Sequence, residues 1–550
     1  MRHSLRWSRS RWLRGATAIA ASTFVVFVVI GAFSAAALAA HRTKATKTEV
    51  RDDARGAPPD ADVPPESTKV EKAEKSEEEK GSEALEAKPK EDASEAATAD
   101  AAKAAEAPKP VEAPKPEAAK VVAPPPLLAG EPGWQFGFFG WAELDTMWDS
   151  TQSFTESVLN SPISRPHTIA GDNPRFQATG KDSRLGFKAT APPFNGMKAS
   201  AYMESDFFGI IPTTASQDQS YTYASIRLRQ YYAKLETPVL DILAGQTFDL
   251  FGWGAGGFFP NTPAFLGVMG EVFHRNVQLR LSKVLGGPAD AASFEIAVAG
   301  VRGATRDSGI PDAQAGLKLS LNSWQGASAQ GPRPAKRAPA SLGVSAVGRR
   351  MAVSDFEAIT ADPQMVNGWG AAADLFLPII PASGDDLSNA LSVTAEYSRS
   401  SGVSDLYLTL TGGVLFPSLP NPHNVLPAPA YTPNIDNGIV TFDAQGMAHA
   451  INWQGLMVNA HYHLPIRQGK ALSLSGTYSQ ISSNNAMALT PVQGRNFVWD
   501  KGHYIDGTLW WRITPAFQMS VSYQQMTQIY GDDRTKATNH RGEASWWFFF

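Results

Sequence analysis

His461 and His463 stand two residues apart in "NAHYHLP", with Asn459 two positions earlier, so in an extended backbone all three side chains leave on one face. Two imidazoles placed this way could hold a metal ion, but no third ligand stands near them in sequence. Histidines lining a polar surface account for the pair more simply, and no metal site is assigned. The glycines of "GWGAGG" (252–257) imitate a phosphate-cradling loop without the strand–loop–helix surroundings that such a loop needs. Ser, His and Asp are plentiful, yet no motif singles out a nucleophile, so an enzyme is not expected and no cofactor is implied. The absence of cysteine excludes thiol catalysis, Cys-based zinc sites, disulfide scaffolds and a lipoprotein anchor. A net charge of -4 argues against a nucleic-acid partner held by phosphate neutralisation.

A second set of residues suggests electrostatics rather than bond-making. Arg184, Lys188, Arg227, Arg229 and Arg280, with Glu143, Asp145, Glu204 and Asp206, fall at alternate positions of segments whose intervening residues are mostly apolar. In "SRLGFKA", Leu185, Phe187 and Ala189 alternate with Arg184 and Lys188; in "VQLRLS", Val277, Leu279 and Leu281 alternate with Gln278, Arg280 and Ser282. In "FQMSVSYQQ", Phe517, Met519, Val521 and Tyr523 alternate with polar neighbours. Side chains of a strand point alternately to its two faces, so these segments are strands with one apolar and one polar face.

About sixteen such segments follow Trp134, each roughly ten residues long, the length a tilted strand needs to cross a bilayer. They fall near 134–148, 175–190, 197–209, 223–236, 239–249, 274–285, 292–301, 313–322, 342–352, 368–379, 389–400, 449–465, 470–481, 500–513, 516–529 and 540–550. Links after even-numbered segments are mostly short, as in "PPFNG", "TPV", "RQG" and "TPA", whereas 149–174, 250–273, 401–448 and 482–499 are long. Short turns on one side and long loops on the other are the pattern of a transmembrane β-barrel, and an even strand count returns both ends to the periplasm. The link around "SWQGASAQGPRPAKRAPA" breaks the alternation by being long on the short side. The expected fold is therefore all-β, a transmembrane antiparallel barrel of about sixteen strands.

Residues 1–40 read as an export signal: Arg2, Arg6, Arg9, Arg11 and Arg14, then a long apolar stretch, then the small residues Ala37 and Ala39 flanking Leu38. The same stretch is long enough for an uncleaved membrane anchor, and both readings carry the rest out of the cytoplasm. Residues 41–132 are rich in Ala, Glu, Lys and Pro, and Arg42 to Gly133 contains no aromatic residue, so this segment reads as a mobile periplasmic tether without a packed core. The 14 Trp, 13 Tyr and 28 Phe fall almost entirely beyond Trp134, in the barrel region 133–550. The sequence closes on "GEASWWFFF", where Ala544, Trp546, Phe548 and Phe550 share one face; aromatics there suit a lipid-facing rim, provided the last strand pairs with the first. A terminal Phe after alternating hydrophobics also resembles the signature read by the outer-membrane barrel assembly machinery.

Three stretches, "DSRLGFKATAP" (182–192), "ESDFFG" (204–209) and "IRLRQYYAKLETPVLDILAGQTFDLFG" (226–252), resemble early strands of the DcaP-like porins of Gram-negative outer membranes. The resemblance covers roughly residues 134–285 and implies a sixteen-stranded barrel in outer-membrane lipid, a homotrimer, and passive passage of small hydrophilic solutes, often anions. Members of that family often carry an amino-terminal coiled coil; here the matching region lacks apolar heptads, so trimerisation through it is not expected. By strand parity the nine charged residues named above line the lumen, where they either set a transverse field or brace the wall by pairing. The loop at 250–273 is too apolar for free solvation and either folds into the channel, covers a neighbouring subunit, or packs outside. A second class of function also fits: a structural barrel whose tether grips the cell wall or an inner-membrane partner.

Overall fold

The computed structural model describes residues 133–157, 162–210, 225–263, 268–304, 309–353, 363–383, 386–410, 435–443, 445–466, 471–490 and 492–550. The expected signal and tether lie outside the described residues.

The strands are β1 (Gln135–Asp149), β2 (Arg175–Thr179), β3 (Arg184–Thr190), β4 (Lys198–Asp206), β5 (Arg227–Glu236), β6 (Asp241–Phe248), β7 (Arg275–Leu285), β8 (Ala292–Val301), β9 (Asp312–Ser328), β10 (Lys336–Val353), β11 (Gln364–Ile380), β12 (Leu391–Ser401), β13 (Val440–Phe442), β14 (Ala448–Ala450), β15 (Asn452–His463), β16 (Ala471–Ser482), β17 (Trp499–Thr514), β18 (Phe517–Tyr530) and β19 (Lys536–Phe549). Both β2 and β3 pair with β1 and form two halves of one wall strand, whereas β13 and β14 pair only with each other. The wall is thus a closed antiparallel barrel of 16 strands.

Closure depends on the aromatic tail. β19 pairs with β18 on one side and with β1 on the other, setting Trp546 opposite Leu144 and Phe548 opposite Ala142. A sheet with no free edge satisfies its own backbone groups, which is the condition for standing in hydrocarbon. The polarity of the wall is inverted relative to a water-soluble protein. Leu279, Leu281, Val298, Leu317, Leu342 and Val344 are exposed on the outside, while Gln314, Ser345, Ser398, Thr477 and Ser520 are buried within. At the rim near both ends of the barrel chain, Trp134 stacks on Phe136, and Phe138 packs on Phe187 at 5.2 Å, forming the expected aromatic girdle with exposed Phe548 and Phe550.

One expectation is corrected. The link between the eighth and ninth wall strands is not long: β9 continues to Ser328 and β10 begins at Lys336, leaving only 329–335. The Gly- and Pro-rich stretch reads as loop because its ladder is irregular. Its register shifts between Pro339 and Ala340, where a bulge accommodates a proline that has no N–H to donate. With this change the short links fall on the side of the termini throughout.

Candidate functional site

After Phe248 the chain does not rise into an outer loop but enters the barrel. Leu250 and Phe251 donate their N–H groups to Gln314 Oε1 at 2.8 and 3.1 Å, and Gly252 donates to Ser345 Oγ at 2.9 Å. Trp253, 1% exposed, donates Nε1–H to the carbonyls of Leu317 and Val344 at 3.0 and 2.9 Å. It seats where two wall strands present glycine: a Cβ on Gly316 or Gly343 would lie 2.8 or 2.6 Å from the indole. The loop then reaches strands opposite β6 in the ring. Asn261 N–H donates to Asn459 Oδ1 on β15 at 3.2 Å, and Thr262 Oγ1 lies 3.2 Å from Tyr504 Oη on β17. On its return Val272 N–H donates to Glu396 Oε1 on β12 at 2.7 Å, Phe273 N–H donates to the Leu406 carbonyl, and Leu408 N–H donates to the Glu271 carbonyl.

The described apolar residues of this loop are packed largely away from solvent. Phe251, Val268, Met269 and Val272 pack with Tyr407, Leu408, Trp453 and Trp499 in one buried cluster inside the wall. The loop therefore crosses the lumen. Trp253→Ala is expected to weaken its docking by about 3–5 kcal/mol, the usual cost of truncating a buried Trp. Limited proteolysis should then cut within 252–262 while the wall stays intact.

The charged residues assemble beside this crossing. Arg229 is 2% exposed and bridges Glu204 Oε1 at 3.0 Å and Asp206 Oδ2 at 2.7 Å. Arg227 forms a two-pronged pair with Asp206, from Nε at 2.9 Å and from Nη2 at 2.6 Å. Arg184 Nη1 approaches Glu204 Oε1 at 3.8 Å while its guanidinium lies over the Trp141 ring. A bulge on β5 between Leu228 and Gln230 turns Arg229 and Gln230 both inward, setting Arg229 against Glu204 and Asp206, which alternate on the inner face of β4. Five of the nine expected residues thus meet: Arg184, Arg227, Arg229, Glu204 and Asp206. Glu143 and Asp145 form a neighbouring acidic group, Glu143 accepting from Trp141 Nε1 at 2.7 Å. Arg280 stands apart, bonded to Gln278 Oε1 at 3.0 Å and to the Phe248 carbonyl, and Lys188 is exposed near the terminal rim.

Three further arginines pair with carboxylates on the inner side of the wall, beyond the nine charged residues that spacing singles out. Arg333 comes from the 329–335 turn and reaches Glu204 Oε2 at 3.0 Å, a contact between residues far apart that local spacing does not announce. Arg349 holds Asp312 at 2.7 Å and Asp405 at 2.6 Å, and Arg541 holds Asp149 at 2.8 Å. Parity carried through from Leu342 and Val344 places Arg349 on the inner face, and alternation in "NHRGEAS" places Arg541 there.

The 329–335 turn rises from the short-link side to meet the crossing loop. Gln330 Nε2 donates to the Gly257 carbonyl, and Gln518 Nε2 on β18 donates to Pro332 O at 3.1 Å. Arg333 lines cavities on both sides of this junction. One, of about 130 Å³, is bounded by Trp141, Glu143, Arg184, Arg229 and Phe259. The other, of about 340 Å³, is bounded by His461, His463, Trp510 and Arg512. The two histidines lie on the inner face as expected, with ring centres 4.4 Å apart. Two inserts from opposite ends narrow the lumen at a point rimmed by guanidinium groups.

No family model and no curated protein matches the chain. Among solved structures, the outer-membrane channel DcaP of Acinetobacter baumannii aligns with a TM-score of 0.53 at 16% identity, covering 76% of this chain and 99% of that one. An anion-selective porin from Comamonas acidovorans aligns with a TM-score of 0.43 at 8% identity, covering 76% of this chain and 100% of that one. Salmonella typhi OmpF aligns with a TM-score of 0.42 at 12% identity, covering 76% and 98%. At such identities the likeness to DcaP is one of fold.

Proposed function

We propose that this chain is an outer-membrane porin of a Gram-negative bacterium, a water-filled channel through which small hydrophilic solutes diffuse passively, with a preference for anions. The observation that carries the reading is the inverted wall: apolar side chains outside, polar and charged ones inside, and an inward loop that narrows the bore. Around the narrowing the guanidinium groups of Arg184, Arg227, Arg229 and Arg333 outnumber Glu204 and Asp206, the carboxylates they pair with, beside the separate acidic group of Glu143, Asp145 and Asp182. Pairing braces these side chains without cancelling that excess. The proposal includes assembly as a homotrimer through barrel walls, insertion by the barrel assembly machinery through β19, and a tether that remains in the periplasm.

Liposomes carrying the purified protein should swell in isotonic solutions of small sugars and of small organic anions, faster with the anions. Swelling no faster than that of protein-free liposomes would end this reading. Arg227→Ala combined with Arg229→Ala should shift the reversal potential in a salt gradient towards cations. An unchanged potential would assign both arginines to wall support.

A further inference from the structure

Glu143, Asp145 and Asp182 bring three carboxylates together inside the barrel, with one oxygen of each within 4.8 Å of the others. The topology builds this group from two strands. Glu143 and Asp145 are alternate residues on the inner face of β1, and Asp182 comes from the 180–183 break that separates β2 from β3. The break is pinned in place, since Glu143 N–H donates to Ser183 Oγ at 2.9 Å. Its lysine is drawn elsewhere: Lys181 Nζ lies 2.6 Å from Glu156 Oε1. Arg184, next along the strand, is directed to Glu204 and to the Trp141 ring.

The acidic oxygens are short of partners. Asp145 and Asp182 are each 4% exposed, and each keeps its Oδ1 buried without a hydrogen-bond partner among the described residues. A buried carboxylate oxygen left unmatched is costly, and three such groups facing one another repel. A hard cation resolves both problems at once. Calcium takes oxygen ligands at roughly 2.3–2.6 Å, so oxygens sharing one ion lie at most about 5 Å apart, which is the spread of this group. Glu143 and Asp182 also line the cavity of about 130 Å³, which supplies access and room for bound water.

We infer that Glu143, Asp145 and Asp182 form a binding site for one hard divalent cation of the calcium class in the lumen wall. The site is independent of the transport reading: it requires only the folded barrel. By neutralising the triad, the ion would leave the neighbouring arginines as the dominant charge at the narrowing.

The test uses the full chain, purified in detergent and stripped with EDTA, with terbium as a luminescent stand-in for calcium. Trp141, whose Nε1 lies 2.7 Å from Glu143 Oε2, is a built-in antenna. Tryptophan excitation should give saturable terbium emission at a stoichiometry of one tight site per chain, displaced by calcium more readily than by magnesium. Calcium should also raise the melting temperature of the barrel, because it binds only the folded chain. Asp145→Asn and Asp182→Asn, which preserve side-chain shape, should each lose at least about tenfold in affinity together with the calcium-dependent shift. Their β-sheet dichroism should be retained. Trp141→Phe should dim the emission yet keep the melting shift. Emission titrations identical in wild type and Asp182→Asn, or a wild-type melting temperature indifferent to calcium, would show that the triad holds only protons and water and would overturn the site.

Discussion

Excising residues 252–270 and bridging the gap with a short Gly-Ser linker is expected to raise single-channel conductance several-fold while leaving the barrel folded. The first half of this expectation follows from where the loop goes. The excised stretch spans from Ser345 on one wall to Asn459 and Tyr504 on the opposite one, and it brings Val268 and Met269 into the bore. The second half follows from the strands it connects. β6 and β7 are hydrogen-bonded neighbours, with Phe248 opposite Arg275, so a tight turn can close them without disturbing the ladder. Planar-bilayer recording of the shortened protein checks it. Conductance equal to that of the wild type would mean that ions bypass the loop and that the narrowing lies elsewhere.

Arg349→Ala carries the second large effect, on stability. The guanidinium is 1% exposed and holds Asp312 through Nε and Nη2 at 2.9 and 2.7 Å and Asp405 through Nη1 at 2.6 Å. It ties the start of β9 to the 402–410 segment, which in turn backs the crossing loop through Leu406 and Leu408. Removing one partner of a buried pair leaves the other charges without compensation, at a cost of about 3–5 kcal/mol. Denaturant unfolding in lipid vesicles should show that loss, and Asp312→Asn added to Arg349→Ala should recover part of it. A loss below about 1 kcal/mol would class the pair with solvent-screened surface bridges.

The wall was largely legible in the sequence, and the inside of the wall only in part. Alternation in segments such as "SRLGFKA" is a local property: once the backbone is extended, parity assigns Leu185 to lipid and Arg184 to the lumen without knowledge of any partner. The same parity places Trp546 and Phe548 outside and Trp547 inside, where it stacks on Trp510 with ring centres 5.7 Å apart. Alternation fails where the ladder is irregular, as at Gln325 and Pro339, so β9 and β10 run further in the structure than their periodicity shows. What spacing does not encode is contact across the ring. Arg333 sits 129 residues from Glu204 in sequence, on a turn with no periodic pattern, and Asp182 joins Glu143 only because the barrel folds β2 and β3 back along β1. The loop at 250–273 advertised its discomfort in water through its aromatic residues, but the wall glycines that receive Trp253 belong to strands far along the chain.

Single-channel recording of the unmodified protein in a planar bilayer under a potassium chloride gradient decides whether the barrel holds an open bore. A water-filled channel bordered by arginines should give stepwise, ohmic currents whose reversal potential is displaced in the direction of chloride selectivity. A bilayer that incorporates the folded barrel yet conducts no better than bare lipid would rule out such a channel.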